Sequence, residues 1–539
     1  MLRRVVGRER RWMQWFAGVA LLAVSYTVFV GQAALSQSGQ VATPQTNQGA
    51  VAQAPMTKAQ AKELFQSVDE ILNFASADTK LPIEHTVKRK LISRDEVNHY
   101  LREKFEEDEG AKRMERSEIV LKKFGVLDRD FHLAPFLLSL LTEQIAGFYD
   151  NKTKTVNLLD WIEPEEQKPV LAHELTHALQ DQRVGLTKWS SVSLNGASHN
   201  VQEDNHHLQV DEADTARSAV AEGQAMAVFV DYTLRSSGKT LANSPEIMEK
   251  LKDQVADTSG SPVMARAPLL LQESLLFPYS DGLNFEHAVL VKGGKDAAFA
   301  SVLASPPSSS FEIIHPEAYM AHAGVPVVRL PDIHPLLDAD YTPYDIGVMG
   351  ELDVRILIEL FGGREMADAL APAWDGGAYY AAQRKSAVTA AEKESTASIG
   401  LIYYSRWKNR DSARSFLNTY AAQIPRKYSD VHELKKEETE EPEQVYSTNE
   451  GDVLISLSGD GVFISEGFDL ALARKLRNTI IAVQPEGPMR QAMTPLHEPA
   501  LSMAHVLASY GVVNAGALQR YTFKGSGFKG AGTESNNVR

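Results

Sequence analysis

The sequence predicts an α+β fold that is mainly α-helical. Apolar residues recur at helical spacing over most of the chain between Thr57 and about residue 425. Two β-prone arms flank Asp150-Asn151, as in a hairpin. Just beyond it, the run Pro169-Val-Leu-Ala-His-Glu-Leu-Thr-His-Ala-Leu-Gln sets a His-Glu-x-x-His pentapeptide, residues 173–177, into a helical pattern. At 43% hydrophobic and 23% charged, the chain has ordinary globular material for a real core. Its length suits about two to four domains, or one large and one small.

At the N-terminus, Arg3, Arg4, Arg8, Arg10 and Arg11 precede an apolar stretch from Ala17 to Val30 and then Gly-Gln-Ala-Ala-Leu-Ser. That order is the n-region, h-region and small-residue site of a secretory signal over residues 1–36, with cleavage near Ala33–Ser36. Trp12 to Phe16 could instead lengthen the apolar part into an uncleaved anchor, and Arg10-Arg11 is a weak twin-arginine hint. The expectation is an exported protein that is periplasmic, secreted or anchored on the outer side of the cytoplasmic membrane. Any membrane association runs through the N-terminus.

Residues 37–56, rich in Gln, Ser, Thr, Ala and Gly, read as a flexible linker. Residues 57–430 form the region that holds the motif. Within it, Ala59 to Leu72, Leu101 to Phe124 and Leu133 to Leu141 are helical in pattern, and Val87 to Ile92 suits a short strand. Residues 185–210 read as a polar loop, Asp211 to Arg235 as a helix, and helices are expected to dominate again to about residue 425. Residues 431–443 read as an acidic, solvated spacer. Residues 444–484 read as a hairpin around Ser458-Gly459-Asp460-Gly461 plus a helix from Leu470 to Val483, associated with the motif region. Residues 485–539 read as a poorly ordered tail with a helix near Ala500–Tyr510.

Net charge −15 argues against a nucleic-acid partner, which wants a basic face. The chain has no cysteine, so an exported form has no disulfides and any zinc site must use His and carboxylate.

On a helix, positions i and i+4 share a face, so His173 and His177 can present two imidazole nitrogens to one tetrahedral ion. Glu174, one residue round, is placed as a general base on an activated water. Glu163, Glu165 and Glu166 suit the positive end of this helix, Pro169 suits its first turn, and Gly185 ends it. The ion expected is one zinc.

A catalytic zinc takes three protein ligands. Gln180 and Arg183 stand where a metzincin needs Gly and His, which leaves a Glu on a later helix. Glu222 in Ala219-Val-Ala-Glu-Gly-Gln-Ala-Met-Ala is the best placed, because an acidic residue on an Ala-rich apolar helix is costly to bury unless paired or ligating. Gly223 would let this helix approach the His-Glu helix closely. Glu203, Asp204, Asp211, Glu212, Asp214, His206 and His207 are rivals in a polar segment, and Asp211 or Asp214 could orient a ligand His through its second nitrogen.

Gly147-Phe-Tyr-Asp, His173-Glu-Leu-Thr-His-Ala-Leu-Gln-Asp-Gln and Ala221-Glu-Gly-Gln-Ala together resemble a little-characterised group of exported bacterial zincins of the gluzincin type. The resemblance continues in Pro278-Tyr-Ser-Asp-Gly-Leu-Asn-Phe, Pro306-Pro-Ser-Ser-Ser, His315-Pro-Glu-Ala-Tyr and Trp374-Asp-Gly-Gly-Ala-Tyr, covering roughly residues 85–480. It implies a zincin-like core with a small hairpin or edge strand before the His-Glu helix. It also implies a zinc metallopeptidase with His173, His177 and Glu222 as ligands and Glu174 as base. Tyr279 and His315, from the resembling blocks, are candidates for stabilising an oxyanion. Gly147, Phe148 and Tyr149 resemble the edge strand on which zincins align an extended peptide, whereas Trp374 and Tyr379 suit packing. The expected partner is a peptide or protein substrate. The alternatives are an inactive zincin-fold binding protein and a zinc hydrolase of a non-peptide amide.

Overall fold

The structure, a computed structural model, describes residues 55–491 apart from 108, 191–195, 245, 249–260, 435–442 and 486. The expected signal, almost all of the linker, the helix near Ala500–Tyr510 and most of the acidic spacer lie outside the described residues. The fold is mixed α+β, with helix making up about 58% of it, so it is mainly helical. No described helix is long and apolar enough to cross a membrane.

Helix α1 (Lys58–Thr79) starts at Thr57, whose side chain and that of Gln60 cap each other's backbone N–H groups. Its apolar stripe of Leu64, Val68, Ile71, Leu72 and Ala75 is buried. Strand β1 (Lys88–Ile92) follows, then helices α2 (Arg94–Glu107), α3 (Glu109–Phe124) and α4 (Leu133–Gln144). Strands β2 (Phe148–Asp150) and β3 (Thr155–Leu159) form the hairpin at Asp150-Asn151. The Asp150 carboxylate accepts from Lys152 N–H at 2.9 Å and Thr153 Oγ1 at 2.8 Å, which shapes the turn. β1 pairs parallel to β3, so the hairpin belongs to a three-stranded sheet in which β2 is an edge.

Helix α5 (Pro164–Val184) carries the His-Glu motif. It begins before Pro169: Pro164 takes the first helical position, and Gln167 ties that first turn to β3 by bonding Leu159 N–H at 2.9 Å and Leu159 O at 2.8 Å. Gly185, left-handed at φ 68°, ends it. The supposed polar loop 185–210 contains two helices, α6 (Leu186–Ser190) and α7 (Val201–Val210). The second is capped by Asn200, and its polar residues Asp204 and His207 are buried against partners rather than solvated. Helices α8 (Ala213–Leu234) and α9 (Leu269–Lys295, leaving helical geometry at Gly294) pack against each other. α5 packs on both α1 and α8.

The largest departure from the sequence reading lies between residues 341 and 407. Where helices are expected to dominate there are three long strands, β5 (Tyr341–Val348), β6 (Trp374–Arg384) and β7 (Ile399–Trp407), with helix α10 (Glu351–Gly362) after the first. A two-residue strand β4 (Val325–Pro326) precedes them. Downstream come helix α11 (Arg410–Ala421), strands β8 (His432–Glu433), β9 (Glu443–Thr448), β10 (Gly451–Ser458) and β11 (Gly461–Phe468), helix α12 (Leu470–Ala482), and β12 (Arg490–Gln491), which pairs with β4. One antiparallel sheet runs β5-β6-β7-β11-β10-β9-β8.

Both faces of this sheet are covered. Ile399, Leu401 and Tyr403 of β7 enter the main core, while Ile402 and Tyr404 enter a second core with Leu476 and Ile480 of α12. A strand buried on both faces has no polar alternation, so its residues read as a run of mixed apolar spacing. The sheet also shows that residues 444–484 share one layer with 341–407. Glu443 is no spacer residue: it opens β9 and is buried against Arg474 and Arg477 of α12.

Candidate metal centre

Helix α5 is buried continuously from Pro169 to Asp181, so His173, Glu174 and His177 are held among packed helices rather than on a surface. His173 Nε2 and His177 Nε2 lie 3.1 Å apart, with the rings nearly perpendicular. From α8, Glu222 Oε2 reaches to 3.1 Å from His173 Nε2 and 3.5 Å from His177 Nε2. Among the described residues these three form the one group whose nitrogen and carboxylate atoms could hold a metal ion, all within 4.8 Å of one another. His177, at 8% exposure, is the least enclosed, so solvent approaches from its side.

Glu174 points one oxygen to the hairpin: its Oε2 accepts the backbone N–H of Tyr149 at 2.7 Å. Its Oε1 is buried without a hydrogen-bond partner. β2 is therefore at the site, with the Tyr149 N–H committed to Glu174. Phe148 is buried and stacks on Tyr100, and the Tyr149 hydroxyl donates to Asp181 Oδ2 at 2.7 Å. Gly147 is buried beside Asn157 O and Val170. From α9, the Tyr279 ring stacks on His173 at 6.3 Å between centroids, and its hydroxyl bonds Glu222.

Desolvation dominates the electrostatics. It pushes Glu174 up to about 8, against the lowering effect of His177. It also pushes Glu222 up, but the charge of His177 and hydrogen bonds from both His rings outweigh it and hold the carboxyl at about 2. Burial lowers His173, whereas at His177 the Glu222 carboxylate overcomes burial and raises the ring to about 9. Burial and the two carboxylates keep Tyr279 protonated well past neutral pH.

The rival ligands are elsewhere. Asp204 faces His334 at 3.2 Å, and Asp211 pairs with His207 and accepts Val348 N–H at 2.8 Å. Glu212 accepts the hydroxyls of Ser309 and Ser310. His315 bonds Glu351 at 2.8 Å and is not part of the cluster. Trp374 is fully buried, and Tyr379 packs on Phe124.

Neither Asp211 nor Asp214 meets the second nitrogen of His173 or His177; at His177 that neighbour is Gln180, whose Oε1 lies 2.8 Å from His177 Nδ1. Sequence reasoning missed it, along with Gln224 behind it, although both are amides on otherwise apolar buried helices. Gly223 does admit a close helix, but that helix is α9, where it meets Gly282, and not α5. A separate cavity of about 790 Å³ lies between Leu208, Leu330, Val348, Gly377 and Arg490, and no residue of the His-Glu cluster lines it. No protein-family model, curated protein or solved structure matches this chain.

Proposed function

We propose that the protein is an exported zinc metallopeptidase with a gluzincin-like site on a zincin-like core. The observation that carries the reading is the convergence of His173 Nε2, His177 Nε2 and Glu222 Oε2 beside an unliganded carboxylate, Glu174. The donor set fits zinc. Two imidazoles and one carboxylate are a usual catalytic combination, and the charge that His177 supplies to the buried Glu222 in the metal-free cluster is one that a bound cation could supply instead. His173, His177 and Glu222 would hold the ion. When bound, zinc supplies a Lewis acid that polarises a carbonyl and brings water to a pKa of ~7.

The chain's own residues supply the rest. Glu174, anchored through Oε2 by Tyr149 N–H, keeps Oε1 free to take a proton from water and return it to the leaving amine. Burial raises this carboxyl in the metal-free protein, and a bound cation would draw it back down, toward the ionised form that a general base needs. Tyr279 stays protonated and spends its one proton on Glu222, and would serve as a donor for the developing oxyanion by turning that proton away from Glu222. β2 is an edge strand beside Glu174, but its Tyr149 N–H is taken by Glu174, so a peptide aligned there would pair through the Tyr149 carbonyl. The Arg-rich start and the apolar run Ala17–Val30 support export.

The test is Glu174→Gln, which is near-isosteric and should keep zinc while losing ~10²–10⁴-fold in peptide cleavage, the usual worth of a general base. Equal cleavage by variant and wild type would remove Glu174 from the chemistry. The enclosure of the cluster favours a second reading, hydrolysis of a small non-peptide amide. Turnover of such an amide by zinc-loaded protein that cleaves no peptide would select it.

A further inference from the structure

Behind His177 runs a chain of two side-chain amides that ends on an irregular turn. Gln180 on α5 and Gln224 on α8 are both fully buried. Gln180 Nε2 donates to Ala221 O at 3.0 Å and to Gln224 Oε1 at 2.9 Å. Gln224 Nε2 donates to Ala298 O at 2.8 Å and Phe299 O at 3.1 Å.

An amide has one accepting and one donating end, so which way it points must be deduced from its neighbours. Here the far end decides. Asp296–Ser301, directly after α9, is a π-helical turn, in which Val302 N–H bonds Ala297 O and Phe299 O. Val302 N–H thus passes over Ala298 O, its acceptor in an α-helix, and Ala298 O accepts from Gln224 Nε2. Carbonyl oxygens only accept, so the Gln224 NH₂ must face Ala298 and Phe299. Its oxygen then faces Gln180, whose NH₂ is fixed a second time by Ala221 O. The Gln180 oxygen is left facing His177 Nδ1, which must carry a proton to satisfy it. That leaves His177 Nε2, and not Nδ1, as the nitrogen for a ligand. His173 Nδ1 has no hydrogen-bond partner among the described residues, so no comparable relay orients the other ring.

We infer that Gln180 and Gln224 are positioning residues for the metal centre, and that the π-helical turn 296–301 sets the polarity of the relay that keeps the His177 proton on Nδ1 and Nε2 on the ion. The inference rests on the zinc reading proposed above. It assigns a function to a turn more than 70 residues downstream of Glu222 that touches no ligand itself. Loss of such a partner costs about 10–100-fold in metal affinity.

The experiment uses the full-length protein, ¹⁵N-labelled at histidine, as wild type, Gln180→Met, Gln224→Met and the double variant; Met keeps the volume and removes the polarity. In metal-free wild type, His177 should show an Nδ1–H signal protected from solvent exchange, and Gln224→Met should reduce that protection at least tenfold. Zinc affinity, read by competition with a chelator, should fall about 10–100-fold in each single variant. The double variant should be no weaker than Gln180→Met, because Gln224 acts only through Gln180.

A wild type that binds zinc but shows no proton on His177 Nδ1 overturns the relay and leaves the zinc reading standing. So do unchanged affinity in Gln224→Met and full additivity in the double variant. A wild type with the protected Nδ1 proton and no affinity for zinc overturns the zinc reading instead. The wild-type spectrum needs no variant, so a substitution that unfolds the protein does not shield the proposal.

Discussion

Gly223 of α8 faces Gly282 of α9 so closely that neither position has room for a methyl group. A Cβ on Gly223 would collide with Gly282 O, and one on Gly282 with Ala219 O. Both obstacles are backbone and cannot rotate away. The contact fixes the distance between the helices that bring Glu222 and Tyr279 to the same place.

Gly223→Ala should therefore force α8 and α9 apart. Overpacking of this kind typically costs about 1–3 kcal/mol, which urea unfolding will read. Because Glu222 is the adjacent residue, zinc affinity should fall at the same time. Wild-type stability in this variant would mean that the helices pack less closely than described.

The full-length protein should bind one zinc per chain. His173→Ala and His177→Ala should each abolish binding under a competing chelator, since two remaining ligands cannot complete the site. Glu222→Gln should weaken it markedly, while Glu212→Gln, whose carboxylate is occupied by Ser309 and Ser310, should leave it near wild type. Metal analysis after dialysis decides this, and the reverse ranking of the two Glu variants would relocate the third ligand.

Tyr279→Phe keeps the ring stacked on His173 and removes only the hydroxyl. Because that hydroxyl bonds Glu222, zinc affinity should fall by up to about 10–100-fold, and at saturating zinc kcat should fall by roughly 10²–10³, the usual worth of an oxyanion donor, with KM almost unchanged. A change confined to KM would make Tyr279 a substrate-binding residue, and none at all would make it a packing residue.

A test of stability lies far from the metal centre. Glu466 on β11 is fully buried, accepts Tyr420 Oη at 2.5 Å and Tyr428 Oη, and pairs with Lys427 at 2.5 Å. Burial pushes its carboxyl up, but Lys427 and Lys123 outweigh that and hold it below its ordinary value. A lowered folded pKa stabilises the fold above the unfolded value of 4.5, and the contribution disappears as pH falls through the folded value. Glu466→Gln should thus cost about 3–5 kcal/mol at neutral pH by stranding the buried Lys427, and its stability should depend less on pH in acid than that of wild type. Denaturant unfolding at pH 7 and in the acid range measures both effects.

How far the sequence carries the reader depends on how local the cause is. His173, Glu174 and His177 are legible because helix periodicity alone puts them on neighbouring faces. Glu222 is legible because an acid among alanines is costly to bury without a partner. β7 is not, since an all-buried strand carries no alternation, and which face each residue takes depends on α11 and α12, which follow it in the chain. Gln180 and Gln224 are unreadable for a similar reason. Their polarity is set by the carbonyls of a π-helical turn, whose irregular bonding leaves no mark in composition or spacing. The closeness of Gly223 to another helix was legible, but the identity of that helix was a matter of tertiary packing.

Every residue of the proposed site has been synthesised well before the large sheet can close. β7 has nine residues, all buried, and takes β6 on one side but β11, at Gly461–Phe468, on the other. A nascent chain that has reached Tyr428 already holds both histidines, both glutamates and the amide relay, yet presents β7, an interior strand of the finished sheet, as an open, apolar edge. Such an edge is a template for pairing with another chain. The last four strands of the sheet thus govern when the protein becomes safe to release, and a product that stops short of β11 should self-associate rather than persist as a smaller folded protein.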